Sequence, residues 1–104
     1  RFTDGKAACM IVSPQAFVML LSEPFFRTFT NRPVGDPARE TAALYALSCE
    51  SRAEVDDLVR RAIASGGGHA MDPVDHGSMY GWSFLDPDGH HWEVMWMDPA
   101  RARG

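Results

Sequence analysis

The residues best suited to chemistry lie in the C-terminal part of the chain, between His76 and Glu93. His91 and Glu93 are two positions apart, so in an extended strand their side chains point to the same face. A carboxylate beside an imidazole can transfer protons, hold a ligand by hydrogen bonds or bind a metal ion. His76 and Tyr80 can act as acid, base or anion donor. We therefore predict a pocket with Glu93, His76 and Tyr80 as candidate catalytic residues and His91 as a ligand-binding residue.

A β-hairpin must position Glu93. The sequence Asp86-Pro87-Asp88-Gly89 is typical of a tight turn, because Pro87 fixes φ near the value a turn needs and Gly89 supplies a positive φ. Strand residues alternate between faces after the turn. One predicted face is apolar and is expected to pack on a helix, and it carries Trp92, Val94 and Trp96. The other face carries His91, Glu93, Met95 and Met97.

The run from Asp86 to Met97 resembles the last two strands of the glyoxalase/bleomycin-resistance/extradiol-dioxygenase superfamily, also called the vicinal oxygen chelate proteins. The similarity rests on Asp-Pro-Asp-Gly-His followed by an aromatic residue, Glu and an aliphatic residue. The resemblance implies an α+β fold in which paired βαβββ modules form a cup-shaped mixed sheet. It also implies that Glu93 matches a position that typically binds a divalent metal. It does not separate the activities of the superfamily.

One whole module is predicted from Thr41 onward, in the order strand, helix, strand, strand, strand. Ser51 and Glu54 form a capping box, which predicts a helix start. The helix is expected to bury the residues at helical spacing that follow, Val55, Leu58, Val59, Ala62 and Ile63. The predicted strands are residues 41–49, 68–71, 78–85 and 90–97, with a loop over residues 72–77.

The first module is predicted to be incomplete. Strand-like runs over residues 7–12 and 16–21 form a hairpin, and residues 22–30 form a short helix or an aromatic loop. We expect one domain over residues 1–99, with a partial first module at 1–30, a linker at 31–40, the second module at 41–99 and a tail at 100–104. The first module lacks its opening strand and helix. Either the sequence is shortened at its N-terminus or a partner chain supplies the missing wall, and an unpaired edge predicts a homodimer.

A metal site would need donors besides Glu93. By the resemblance, one counterpart falls at Met19 and another falls at Leu44 or the residue after it. Neither Met19 nor Leu44 supplies the oxygen or imidazole donor that such sites use. A rearranged site with His91 and His76 stays open, and with it a divalent metal as cofactor. The alternative is that Glu93 is a pocket carboxylate held by hydrogen bonds.

Methionines and aromatic residues predict an apolar wall for a ligand pocket, because these side chains adapt to flat ligands. The predicted ligand-binding residues of this kind are Met19, Met95, Phe25 and Phe29. Core packing is the alternative explanation for each of them.

Composition excludes several classes of protein. A formal charge of −4 gives no electrostatic footprint for nucleic acid. No apolar run is long enough to cross a membrane, and residues 1–4 lack a signal-peptide pattern, so we expect a cytoplasmic protein. Cys9 and Cys49 have no metal or redox spacing and are expected to be reduced and structural.

The leading hypothesis is a glyoxalase/dioxygenase-like protein that binds a small organic molecule in a sheet-lined cup, with its reaction unassigned. One alternative is a metal-dependent lyase or extradiol dioxygenase in which Glu93 binds the metal. Another is a non-enzymatic drug-binding protein of the bleomycin-resistance kind. One fold serves all three functions, so the resemblance does not choose among them.

Overall fold

The computed structural model describes residues 7–102. Residues 1–4, on which the signal-peptide expectation rests, and the end of the predicted tail lie outside the described residues. The chain forms two compact units that divide between Gly35 and Asp36.

The first unit contains a β-hairpin followed by short helical turns. Strands β1 (Ala7–Ser13) and β2 (Ala16–Leu21) pair antiparallel, with Cys9 opposite Met19 and Ile11 opposite Phe17. The hairpin thus forms where the sequence predicts it. Helix α1 (Glu23–Phe26) has a proline in its first turn, where a missing N–H costs no hydrogen bond, and a 3₁₀ turn (Arg27–Phe29) follows.

The second unit is built on a five-stranded mixed sheet. Its strands are β3 (Leu44–Ser48), β4 (Gly68–His69), β5 (Val74–Asp75), β6 (Met79–Leu85) and β7 (His91–Met97). The order across the sheet is β3-β7-β6-β4, and β5 also pairs with β6. The β3–β7 pair is parallel and the other pairs are antiparallel. The predicted α+β fold with a mixed sheet is confirmed, and the observed sheet is open.

Helix α2 (Arg52–Ala64) connects β3 to the rest of the sheet. It begins as predicted, because the Ser51 hydroxyl accepts a hydrogen bond from the Glu54 amide at 3.1 Å. Val55 and Val59 are fully buried. The helix ends where Gly66 adopts φ +114°, a conformation that glycine accepts readily. A short helix, α3 (Pro99–Ala102), follows the sheet.

The turn between β6 and β7 is organised by the Asp86 carboxylate. One of its oxygens accepts hydrogen bonds from the amides of Asp88 and His90 at 3.0 and 2.9 Å, and the other accepts one from Trp92 Nε1 at 2.9 Å. Gly89 has φ +97° as predicted. A side chain at Gly89 would also approach the carbonyl oxygen of Pro37 to 2.8 Å. Conformation and space therefore both require glycine at this position.

The core of the second unit lies between α2 and one face of the sheet, which we call the helix face. Cross-strand pairs place Phe84 with Trp92, Trp82 with Val94, and Tyr80 with Trp96 on this face. Val94 is fully buried, Trp92 is 8% exposed, and Trp96 is half-buried with Arg52 of α2 over its ring. The predicted packing of the β7 apolar face on the helix is confirmed.

Several boundaries differ from the prediction, and β4 covers only Gly68–His69 of the predicted strand over residues 68–71. The predicted loop over residues 72–77 contains β5, a two-residue strand whose apolar content is too small to be recognised in the sequence. The predicted strand from Thr41 begins only at Leu44, where pairing with His91 begins. Within the described part of the chain, no helix is long and apolar enough to cross a membrane.

Candidate functional site

The second face of the sheet, which we call the pocket face, carries a cavity of about 290 Å³. Strand alternation directs the side chains of β6 and β7 opposite to those of the helix face. Ser83 is therefore paired with Glu93, and Gly81 with Met95, on this face. The cavity is lined by Met71, Asp72, Val74, Met79, Gly81, Ser83, Glu93 and Met95, and also by Trp82 and Val94 of the same two strands, although strand alternation directs the side chains of these two to the helix face.

Glu93 is one of the polar residues that line the cavity, with Asp72 and Ser83. Its side chain is 38% exposed, so a ligand can reach it. Ser83 is 4% exposed, and its hydroxyl oxygen accepts a hydrogen bond from the Met71 amide at 3.2 Å. This hydrogen bond links the segment after β4 to β6, the strand that pairs with β7 beside Glu93. Sequence reasoning missed Ser83 and Gly81 as site residues. The alternation of β6 puts the two on one common face, and the pairing with β7 shows that this is the face of Glu93.

His91 lies beside Glu93 as predicted. His91 Nε2 is 3.9 Å from Glu93 Oε2, which is too long for a direct hydrogen bond. This nitrogen is buried and has no hydrogen-bond partner in the described structure. The two side chains are neighbours on one face, but His91 is not among the residues that line the cavity.

Tyr80 and His76 do not meet Glu93 in the structure. Tyr80 lies on the helix face, where its hydroxyl donates a hydrogen bond of 2.6 Å to Asp56. This bond, together with burial, raises the pKa of Tyr80 above its ordinary value. His76 is exposed, and its amide bonds to the carbonyl of Met79. The predicted grouping of Tyr80 and His76 with Glu93 therefore needs correction, because the pleat of β6 turns Tyr80 to the other side.

The predicted apolar residues divide between the two units. Met95 lines the cavity next to Glu93. Met19 lies in β2 of the first unit, and Phe25 packs edge-on against Phe29 there with ring centroids 5.1 Å apart. The cavity itself is built from residues of the second unit.

The donors near Glu93 do not form a metal site. On β3, the residue across from Glu93 is Ala46, while Leu44 lies across from His91 and Tyr45 across from Trp92. Among the described residues, no three His, Cys, Asp or Glu side chains come together to hold a metal ion. A stable site needs more than a carboxylate and one imidazole. The residues of the described chain therefore do not fit the divalent metal that the superfamily resemblance implies.

The mixed sheet, with a helix on one face and a cavity on the other, defines an α+β protein with a sheet-lined cavity. The model of the Glyoxalase/Bleomycin resistance protein/Dioxygenase superfamily matches residues 14–94, and the chain belongs to this superfamily. The resemblance seen in the terminal hairpin is thus confirmed over most of the chain. No match among curated proteins is found.

Solved structures share the fold. A hypothetical protein from S. aureus is 24% identical, with a TM-score of 0.76 over 92% of this chain and 73% of its own. A glyoxalase-related enzyme from Fulvimarina pelagi is 19% identical, with a TM-score of 0.76 over 91% of this chain and 67% of its own. A glyoxalase/bleomycin resistance protein/dioxygenase family enzyme from Burkholderia phytofirmans is 15% identical, with a TM-score of 0.71 over 91% and 74%. At these sequence identities, the similarity to the solved structures shows a shared fold and nothing further.

Proposed function

We propose that the pocket face binds a small, flat organic molecule without the help of a metal ion, and that Glu93 anchors its polar end. The proposal rests on one observation: the Glu93 carboxylate lines a cavity of about 290 Å³ together with apolar side chains and Asp72, and no basic residue lines it. Cavities of this size suit small organic ligands, and a few placed polar groups fix their orientation.

The walls of the pocket suit an aromatic or conjugated ligand. Met71, Met79 and Met95 line it together with Val74. Methionine side chains are flexible and polarisable, so they adapt to flat surfaces. Gly81 leaves space between Met79 and Met95. These side chains would therefore bury a planar ring system of the ligand.

The charges around the pocket favour a cationic or N–H-donating end group. Glu93 and Asp72 are acidic, and no lysine or arginine is among the lining residues. The whole chain carries a formal charge of −4. An anionic ligand would meet like charge without a compensating partner, whereas an amidinium or ammonium group would form a charge-assisted hydrogen bond with Glu93.

The superfamily description includes both resistance proteins and dioxygenases. The donor set around Glu93 gives no support to a metal-assisted step, so the proposal is confined to binding. A drug-binding role of the bleomycin-resistance kind fits this pocket better than the metal-dependent alternative.

The test uses three probes of matched size: benzamidine, which is a cation, benzamide, which is neutral, and benzoate, which is an anion. Binding is measured by NMR titration of the amides of β6 and β7. We expect benzamidine to bind most tightly and benzoate least. Glu93→Gln should weaken benzamidine binding by about tenfold, the effect of losing one charge-assisted hydrogen bond.

Glu50→Gln is the matched control, because Glu50 is exposed and does not line the pocket. It should leave the affinity for benzamidine unchanged. Equal binding of benzoate and benzamidine, or an equal response to the two substitutions, would contradict the proposed role of Glu93.

A further inference from the structure

One wall of the pocket is a segment with little secondary structure of its own. Residues 71–77 contribute Met71, Asp72 and Val74 to the lining. The only strand in this segment is β5, which pairs with β6 through Val74 opposite Gly81 and Asp75 opposite Tyr80. A two-residue ladder is a weak attachment. Other contacts must hold this wall against the sheet.

One such contact is the Ser83 hydroxyl, which bonds the Met71 amide at the start of the segment. The far end is held from the opposite side of the sheet. Val74 faces the pocket, and Asp75, the next residue, faces the helix side as successive strand residues must. There the carboxylate of Asp75 meets Arg52, the first residue of α2.

The guanidinium of Arg52 binds the segment by three hydrogen bonds. Its two terminal nitrogens donate to the two carboxylate oxygens of Asp75 at 2.6 and 3.0 Å. One of them also donates to the carbonyl oxygen of Gly77 at 2.8 Å. The pair of bonds to the carboxylate has the parallel geometry that a planar guanidinium forms and an ammonium does not. The Arg52 guanidinium, together with the Gly77 amide, lowers the pKa of Asp75 to about 2.

Aromatic rings hold Arg52 in place. Its guanidinium carbon lies 5.3 Å from the centre of the Tyr80 ring and 5.1 Å from that of Trp96. Tyr80 is fixed in turn by its hydrogen bond to Asp56. Cation–π contacts of this geometry orient an arginine as well as stabilise it. The guanidinium is therefore already aligned with Asp75 and Gly77.

We propose that Arg52 is the positioning residue of the pocket wall: by holding Asp75 and Gly77 it keeps residues 71–77 in the conformation that encloses a ligand at Glu93. Arg52 does not line the pocket and acts through the segment it holds. The inference rests on the proposed binding function for its effect on affinity. The attachment of the wall can be measured without any ligand.

The first experiment is hydrogen exchange of the backbone amides, with Arg52→Gln compared with Arg60→Gln. Arg60 is a matched control, since it also projects from α2 over a sheet residue, Trp82, at 5.9 Å, and it has no bond to residues 71–77 among the described contacts. We expect Arg52→Gln to speed the exchange of the His76 and Gly77 amides by about fivefold, as for a local opening. Arg60→Gln should leave these amides unchanged. Equal exchange at these amides in the two variants would overturn the proposal.

The second experiment is titration with benzamidine. Arg52→Gln and Asp75→Asn should each weaken binding by about fivefold, and the double variant should lose clearly less than the sum of the two single variants, because both substitutions remove the Arg52–Asp75 pair. Arg52→Lys should bind benzamidine almost as weakly as Arg52→Gln, since the lysine ammonium cannot donate two parallel hydrogen bonds to a carboxylate. Additive losses would overturn the proposal. If the unaltered protein binds no benzamidine, the proposed function fails, and the exchange result alone decides the role of Arg52.

Discussion

Gly81 lies directly across from Met95 on the pocket face, and a methyl group built at Gly81 would contact Met95 Cβ at 3.8 Å and Met79 Sδ at 3.7 Å. These are ordinary contact distances, and Gly81 does not adopt a positive φ. The backbone therefore does not require glycine here. What glycine provides is the open space between two methionines.

We predict that Gly81→Val fills the pocket and weakens benzamidine binding by at least about tenfold while the protein stays folded. A β-branched residue suits a strand, so the melting temperature should change little. Gly68→Val is the control, because Gly68 also lies in a strand, has ordinary contacts with Leu85 and does not line the pocket. Unaltered affinity in Gly81→Val would show that ligands bind elsewhere.

A series of three glycines separates conformational strain from lack of space. Gly35 has neither a positive φ nor a close neighbour, Gly77 has φ +82° with open space around it, and Gly89 has φ +97° with the Pro37 carbonyl in the way. We expect alanine to have almost no effect at Gly35, to cost about 1 kcal/mol at Gly77, and to cost about 2 kcal/mol or more at Gly89. Denaturant unfolding measures these differences. A loss at Gly89 no larger than that at Gly77 would show that Pro37 moves freely aside.

A metal site should be obtainable by adding the donor that the sequence lacks. Ala46 lies across from Glu93 on β3. We predict that the unaltered chain retains no stoichiometric zinc after purification, and that Ala46→His binds zinc through the new imidazole, Glu93 and His91. Elemental analysis and titration measure the metal.

Two controls accompany this prediction. The variant Ala46→His with Glu93→Gln should lose the zinc, because an amide oxygen is a poorer donor than a carboxylate. Tyr45→His places an imidazole on the helix face of the same strand and should bind none. If the unaltered chain binds zinc tightly and Glu93→Gln abolishes this binding, the metal-dependent alternative is favoured.

Cys49 should be unreactive at neutral pH. Burial, followed by the hydrogen bond to the Glu54 side chain, raises the pKa of the Cys49 thiol from 9.0 to about 11. The thiolate fraction at pH 8 is then roughly a hundredfold lower than for an unperturbed thiol, and alkylation should be slower in proportion. Cys9, which is half-buried, provides the internal comparison in the same sample. Equal modification of the two thiols under native conditions would contradict this prediction.

The same pKa determines how stability depends on pH. The folded state favours the neutral thiol, so the stabilisation from this group is complete below pH 9 and is lost as the pH rises through about 11. Between pH 9 and about 11, the melting temperature of the unaltered protein should therefore fall more steeply than that of the Cys49→Ala variant.

The hairpin of the first unit should promote self-association. Ile11 is 57% exposed and Phe17 is 64% exposed, and they are paired on one face of a two-stranded sheet. Such a sheet is marginal without cover, and exposed apolar patches are typical of interfaces. We predict a homodimer in sedimentation experiments, weakened by Phe17→Thr. Phe29→Thr, at a residue that is 67% exposed outside the hairpin, is the control. A monomer at high concentration would contradict the prediction.

The sequence was most informative where structure is local. The Asp86 turn, the capped start of α2 and the alternation of β7 each depend on residues within a few positions of one another. The predicted positive φ at Gly89 and the burial of Trp92 and Val94 are accordingly found in the structure.

Contacts between distant residues could not be predicted in the same way. Arg52 and Asp75 are 23 positions apart, and no local pattern links a helix start to a two-residue strand. Tyr80 and Glu93 lie on opposite faces of the sheet. The face of a residue in β6 depends on how β6 pairs with β7, and the residue types around Tyr80 do not define that pairing. Of the predicted site residues, Glu93 and Met95 therefore line the cavity, whereas Tyr80 lies on the other face of the sheet.

The alternation of β5 has a consequence for how this protein can change. Val74 and Asp75 are neighbours in the chain, yet Val74 forms the pocket wall and Asp75 attaches that wall to α2. Substitutions at Val74 can thus alter the shape of the site without removing the attachment. We therefore predict that a library that randomises Val74 and keeps Asp75 yields variants with altered benzamidine binding and a low proportion of misfolded protein.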